Sequence, residues 1–204
     1  MRRFILRQNL VQYEEQLANE RGVVRRERLR ELIEDARREL ARLEHLWLLT
    51  CPQIEVPLKV GEDAELTLDH AVRANQADHG SLRIWNERKH CLSLFAQTNF
   101  DTEFIDRFPE VRQGDGTVSQ RALALQKPVF VYDIDEDENF APFRDFARDA
   151  RIRSIVSSPL VGLDGRCLGT YSLHYRWMRT YNDSDYLLVH AYSVRLAALF
   201  QDLL

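Results

Sequence analysis

The chain has 204 residues, room for one domain with an extension or for two small domains. Apolar residues make up 45% of it, enough for a real core, yet no run approaches the roughly 18 apolar residues of a membrane-spanning helix. The formal net charge of −4 lacks the basic balance that nucleic acid would require.

The opening MRRFILRQNL has charge before a short apolar run, but polar residues follow at once, so it is not read as a signal peptide. From Arg2 to Leu49 there is no proline and one glycine, and Arg, Glu, Leu and Ala dominate, a helix-forming composition. Leu6, Leu10, Tyr13 and Leu17 make one apolar stripe; Leu29, Ile33, Ala36, Leu40, Leu43 and Trp47 make a second, in a different register. The slip falls at Gly22, where a left-handed residue would end a helix cheaply. Two helices, about 3–20 and 24–49, are therefore expected as a hairpin, with one long coiled-coil helix carrying a local stutter as the alternative. A stripe this narrow needs a partner, either the following domain or a second chain. The arginines at 25, 26, 28 and 30 alternate with Glu27 and Glu31 and read as a solvated face rather than a nucleic-acid site.

Pro52, Pro57 and Gly61 mark residues 51–60 as a linker. Helix returns at about 62–77, with Ala64, Leu66, Leu68, Ala71, Val72 and Ala74 on its apolar side. Strands are expected at about 79–86, 90–97, 128–132, 152–161 and 166–175, the last two joined by a tight turn at Asp164-Gly165. FIDRF, SQRALALQ and FRDFARDA have helical spacing, and DIDEDENFAPF reads as an exposed acidic loop without the glycine and distant glutamate of a calcium loop. A last helix begins at Asn182, an N-cap with Asp185 three residues on. Its apolar side would carry Leu187, Leu188, Ala191, Val194, Leu196, Ala198 and Leu199. The fold class is α+β.

The segments ADHGSLRIWN, QGDGTVSQRAL, KPVFVYDID and RSIVSSPLVGLDGRCLGTYSLHY, in this order, resemble a GAF domain, the sensory module shared by phytochromes, some phosphodiesterases and many bacterial signalling proteins. The resemblance covers residues 61–204. It implies an antiparallel sheet of five to six strands, helices from both ends packed on one face, and a ligand under loops on the other. The domains are then 1–50, a helical hairpin or coiled-coil extension; 51–60, a linker; and 61–204, the GAF-like domain.

Period-two alternation puts Ser172 and His174 on one face of their strand. Within the resemblance, His174 falls where phytochromes place a histidine against their chromophore, and Ser157 at a matching pocket position. These three side chains suit a polar ligand, or a filled core in which they bond backbone and one another. Ser119 and Arg121 open the SQRAL helix, and an arginine there suits a carboxylate or phosphate, or is a solvated surface residue. Phe104 and Phe143, with Phe100, Phe108, Phe140 and Phe146, surround the expected roof; they suit a planar ligand or form a small core under the helices.

Chromophore-bearing relatives attach pigment through a cysteine, where this chain has Ser119, so a covalent bilin is disfavoured and the cofactor is left unassigned. Cys51, Cys91 and Cys167 lie far apart with no metal spacing, so they read as reduced thiols of a cytoplasmic protein, and no metal site is expected. The leading expectation is a non-enzymatic regulatory module that binds a small molecule and signals through helix packing or dimerisation, with a homodimer through the terminal helices. Output would pass to a separate kinase or other partner, as in a two-component system. The alternatives are a ligand-free dimerisation module and a thiol-dependent methionine sulfoxide reductase.

Overall fold

The computed structural model describes residues 2–50 and 57–201. The chain divides into two compact units, residues 1–51 and 52–204.

The first unit is a hairpin of α1 (Arg2–Asn19) and α2 (Val23–Thr50). The stripe on α2 is buried where its side chains are described: Leu29, Ile33 and Ala36 are nearly inaccessible, and Leu6, Leu10, Tyr13 and Leu17 of α1 are half-buried. Leu43 and Trp47 fall outside the described side chains. Gly22 is not left-handed as expected. The turn is held instead by the Glu20 carboxylate, which accepts from the Arg21 and Gly22 amides at 2.9 Å each. Arg26 crosses the turn and donates to the Leu17 and Glu20 carbonyls, satisfying the open end of α1 with a cation, where the helix dipole favours one. Arg37 and Glu14 then pair across the two helices at 2.7 Å.

The second unit begins with α3 (Leu58–Ala74), so helix starts inside the segment read as linker; residues 51–56 lie outside those described. Strands β1 (His79–Asn86) and β2 (Cys91–Thr98) form a hairpin. Then come α4 (Thr102–Arg107), β3 (Glu110–Arg112), α5 (Val118–Leu125), β4 (Val129–Val131), a 3-10 turn (Glu138–Phe143) and α6 (Arg144–Asp149). The unit ends with β5 (Ser154–Val161), β6 (Cys167–Tyr175) and α7 (Asp183–Phe200). The six strands make one antiparallel sheet in the order β3-β2-β1-β6-β5-β4.

Sequence spacing located five of these strands and missed β3. Three residues after a proline are too few to give a periodic signal. The β5–β6 connection also differs from the two-residue turn expected. Val161 pairs with Cys167, so Gly162–Arg166 form a five-residue loop, in which Gly165 takes the positive φ. Pro159 sits inside β5 without cost to the ladder on its outer side. The pairing of β4 covers only Ile155 to Ser157, so the missing amide faces no strand there.

Helices α3 and α7 pack on one face of the sheet. From that face Tyr171 of β6 reaches α7 and donates to the Val189 carbonyl at 2.6 Å, while Ser193 of α7 donates to the Pro159 carbonyl at 3.1 Å. Asn182 caps α7 with the reciprocal bonds to Asp185. The buried side of α7 is Val189, Ser193, Leu196, Ala197 and Phe200. Leu187, Ala191, Val194 and Ala198, expected inside, are exposed. The helix is apolar on two sides, and the sequence pattern cannot say which of them the sheet takes.

Candidate functional site

The other face of the sheet carries short side chains. Ser81 and Ser172 pair across β1 and β6, Ser172 and Ser157 across β6 and β5, and His79 and His174 across β1 and β6. Over this face lie α4, the 3-10 turn, α5 and α6. Their phenylalanines form a small core with Ile134, Ile152 and Ile155. Phe100 stacks on Phe104 with ring centroids 3.6 Å apart, and Phe104, Phe108 and Phe146 adjoin one another.

Between floor and roof is a cavity of about 50 Å³. By this measure it holds roughly three to five waters, or a ligand of a few heavy atoms. A tetrapyrrole does not fit unless the phenylalanines move apart. The polar part of the wall is Ser81, Arg83, Thr117, Ser119 and His174. The remainder is apolar, dominated by Phe104, Phe108, Phe140, Phe143 and Phe146. The aromatic cluster is thus both a core under the helices and a cavity lining, and the two sequence readings of it are compatible.

Of the side chains the sequence singled out, Ser119, His174, Phe104 and Phe143 line the cavity. Ser157 and Ser172 lie beneath it. Their hydroxyls are 2.9 Å apart, and Ser172 Oγ is 3.0 Å from Ser119 Oγ, a buried hydroxyl row that ties β5 and β6 to the first turn of α5. Arg121 does not reach the cavity. Its guanidinium makes a two-pronged pair with Asp137, at 2.6 and 3.1 Å.

That pair corrects the picture of a solvated acidic loop. Asp133 is buried and accepts from Arg153 at 2.6 Å, Asp135 takes Arg148 and Arg153, and Asp137 takes Arg121 and caps the 3-10 turn. Arg153 holds the Asp133 carboxyl below the usual carboxylate range. Arginines placed far apart in sequence meet these acids, so spacing along the chain could not show that the loop is anchored.

His174 is buried among Phe100, Phe104 and the sheet. Its Nε2 is 3.4 Å from Ser81 Oγ, a marginal bond, and Nδ1 has no partner among the described residues. Burial, with the nearby charges of His79 and Arg83, pushes its pKa down to about 3, so the ring is neutral at physiological pH. His79 is lowered as well, again mainly by burial, while its Nδ1 lies 3.0 Å from the Asn99 carbonyl.

Sequence reasoning passed over Arg83. In HGSLRIWN the polar positions alternate with Leu82 and Ile84, the usual mark of a strand with one wet face. But β1 is central in the sheet and both of its faces are covered, so Arg83 is 3% exposed. One nitrogen, Nη2, donates to the Phe108 carbonyl at 2.7 Å, while Nη1 is buried without a partner. Burial lowers its pKa to about 10, which still leaves it cationic at neutral pH.

Cys91 is buried at the start of β2, with Ser93 Oγ 3.7 Å from its sulfur, and Cys167 is half-buried. Neither lines the cavity. Burial pushes the Cys167 thiol up. Cys51 lies outside the described residues. Among the described residues no cluster of His, Cys, Asp or Glu could hold a metal ion, and no helix is long and apolar enough to cross a membrane.

A six-stranded antiparallel sheet, backed by the first and last helices of its unit and roofed by short helices over a small cavity, defines a sensory-type α+β module. The GAF domain family model matches residues 61–194, and the chain belongs to that family. Solved structures agree on the fold. The GAF domain region of a putative membrane protein from Geobacter sulfurreducens PCA superposes with a TM-score of 0.62 at 16% identity, covering 71% of this chain and 95% of that one. A domain of a putative two-component sensor histidine kinase from Sinorhizobium meliloti 1021 gives 0.59 at 19% identity, covering 70% and 90%. Free methionine-R-sulfoxide reductase from Neisseria meningitidis, in complex with its substrate, gives 0.58 at 18% identity, covering 78% and 85%. No curated protein matches the chain.

Proposed function

We propose that this chain is a non-enzymatic sensory module of signal transduction, whose cavity admits a small molecule and whose occupancy biases the packing of its terminal helices. The observation that carries the reading is the floor of the cavity. A buried imidazole and a buried guanidinium each leave a nitrogen unpartnered there, under a roof of aromatic rings. Buried polar groups in folded proteins are ordinarily satisfied, so two lining residues of one cavity that each hold such an atom support a place for a partner there. A ligand there shifts a helix equilibrium only to the extent that it prefers one of the two states. Strand β6 gives that preference a route. Ser172 and His174 face the cavity side, and Tyr171, next to Ser172 and on the opposite face, is bonded to α7.

The exposed side of α7 supports a route by which the signal leaves. Leu187, Ala191, Val194 and Ala198 repeat at 4-3-4 spacing, the seam of a helix pair, and Leu187 and Val194 are 71% and 54% exposed. A second copy of this chain is the proposed occupant, with output to a separate kinase or other partner, as the two-component kinase relative suggests. The reductase reading loses support because its chemistry needs a reactive thiolate at the substrate, and neither Cys91 nor Cys167 lines the cavity.

Native mass spectrometry of protein purified from its own host tests both parts. The expected result is a retained small molecule on a dimer. A monomer with an empty cavity, together with no thermal shift across a metabolite library, refutes the proposal. Methionine sulfoxide reduction that is lost when Cys51, Cys91 and Cys167 are all replaced by serine would establish the reductase instead.

A further inference from the structure

The charge inside the cavity wall is one-sided. Arg83 lines it, and none of the other lining residues is acidic. The guanidinium is 3% exposed, has one bond to a main-chain carbonyl, and forms no ion pair among the described residues. The carboxylate whose field reaches it, Asp115, is engaged elsewhere, accepting from the Thr117 amide and hydroxyl and from the Arg112 amide. A buried cation without a counter-ion is costly to a fold. A second feature gives the same sign of potential. Thr117, Val118 and Ser119, the N-cap and first turn of α5, form part of the wall, and the positive end of a helix dipole lies there. The imidazole of His174 is neutral and supplies no competing negative charge; its free Nδ1 adds one more polar group to the same side. Opposite these groups the wall is hydrocarbon, supplied by Phe104, Phe140, Phe143, Phe146 and Ile152.

We propose that the ligand of this cavity is a short-chain aliphatic carboxylate, its carboxylate paired with Arg83 and its tail among the phenylalanines. Nη1 offers the unused donor, and Ser81 or His174 can bond the second carboxylate oxygen. The size of the cavity limits the tail to a few carbons. The proposal rests on the reading that the cavity is a ligand site, and names the class of molecule that enters it.

The test uses the full chain and a matched series of probes: acetate, propionate, butyrate and isobutyrate against propanol, propionamide and propylamine, with chloride at equal ionic strength. Thermal shift and isothermal titration are measured on the wild type and on Arg83→Met. The expected result is a saturable rise in Tm and a measurable Kd for at least one carboxylate, none for the amine, and at least a tenfold weaker Kd for the alcohol and amide. In Arg83→Met the carboxylate affinity falls at least tenfold, while the unliganded Tm stays level or rises, because a buried unpaired charge has been removed. A guanidinium with only a structural role would instead lower the Tm of the unliganded variant and leave carboxylate binding intact. Binding of propanol, propionamide or propylamine as tight as that of propionate, or carboxylate affinity unchanged in Arg83→Met, overturns the assignment of ligand class while keeping a ligand site. If Arg83→Met fails to fold, the comparison of propionate with its neutral and cationic analogues on the wild type decides alone. No binding by any probe or by a wider metabolite library overturns both the class and the site.

Discussion

His174 makes the stability of the second unit depend on pH in a range where few other groups titrate. Its pKa is about 3 in the folded protein, held down by burial and by the charges of His79 and Arg83, against about 6.5 for a solvated histidine. The folded state therefore binds fewer protons than the unfolded chain once pH falls below about 6.5, and stability is lost there. Above that value both states are neutral and nothing changes; below about 3 both are charged and the loss levels off. At pH 5.5 the unfolded imidazole is about nine-tenths protonated, so the loss relative to pH 7.5 is about 1.4 kcal/mol from this residue alone. His79 is shifted in the same direction and adds to it. Carboxylates titrate lower, so the interval between pH 7.5 and 5.5 isolates the histidines. Urea unfolding at the two pH values should show the loss in the wild type and a reduced one in His174→Gln. An NMR titration of the imidazole carbons supplies the direct check. A His174 ring that titrates near 6.5 in the folded protein, or an unchanged pH dependence in His174→Gln, refutes the buried neutral imidazole.

Gly169→Ala drives a Cβ into the Arg83 carbonyl oxygen, a backbone atom of the paired strand, and should cost about 3 kcal/mol in urea unfolding. Asp137→Ala leaves the Arg121 guanidinium without its carboxylate and the 3-10 turn without its cap. We expect a loss of about 2 kcal/mol, with faster amide exchange confined to residues 133–143 and unchanged protection in β6. Leu187→Lys with Val194→Glu should turn a sedimenting dimer into a monomer while shifting monomer stability by less than about 0.5 kcal/mol, since both side chains are exposed. A dimer that survives both changes places the interface elsewhere.

The two strands that organise the site were legible because their pattern is unusual. In RSIVSSPLV and CLGTYSLHY, serines are set among apolar residues, which suits strands covered on both faces better than an ordinary half-wet sheet. The capping of α7 was legible for the same kind of reason, since Asn182 and Asp185 act within one turn. What escaped were features that depend on who the neighbours are. The importance of Arg83 follows from the central place of β1, which no local period encodes. The anchoring of the acidic loop follows from Arg121, Arg148 and Arg153 arriving from other elements. The outward stripe of α7 looked like core because an apolar face reads the same whether it meets its own sheet or another molecule.

Both margins of the sheet are only three residues long, Glu110–Arg112 at one end and Val129–Val131 at the other, and Pro128 stands immediately before the second. So brief a ladder of free amides and carbonyls offers an incoming chain almost nothing to template upon. The two three-residue margins are therefore themselves poor places for growth by strand recruitment.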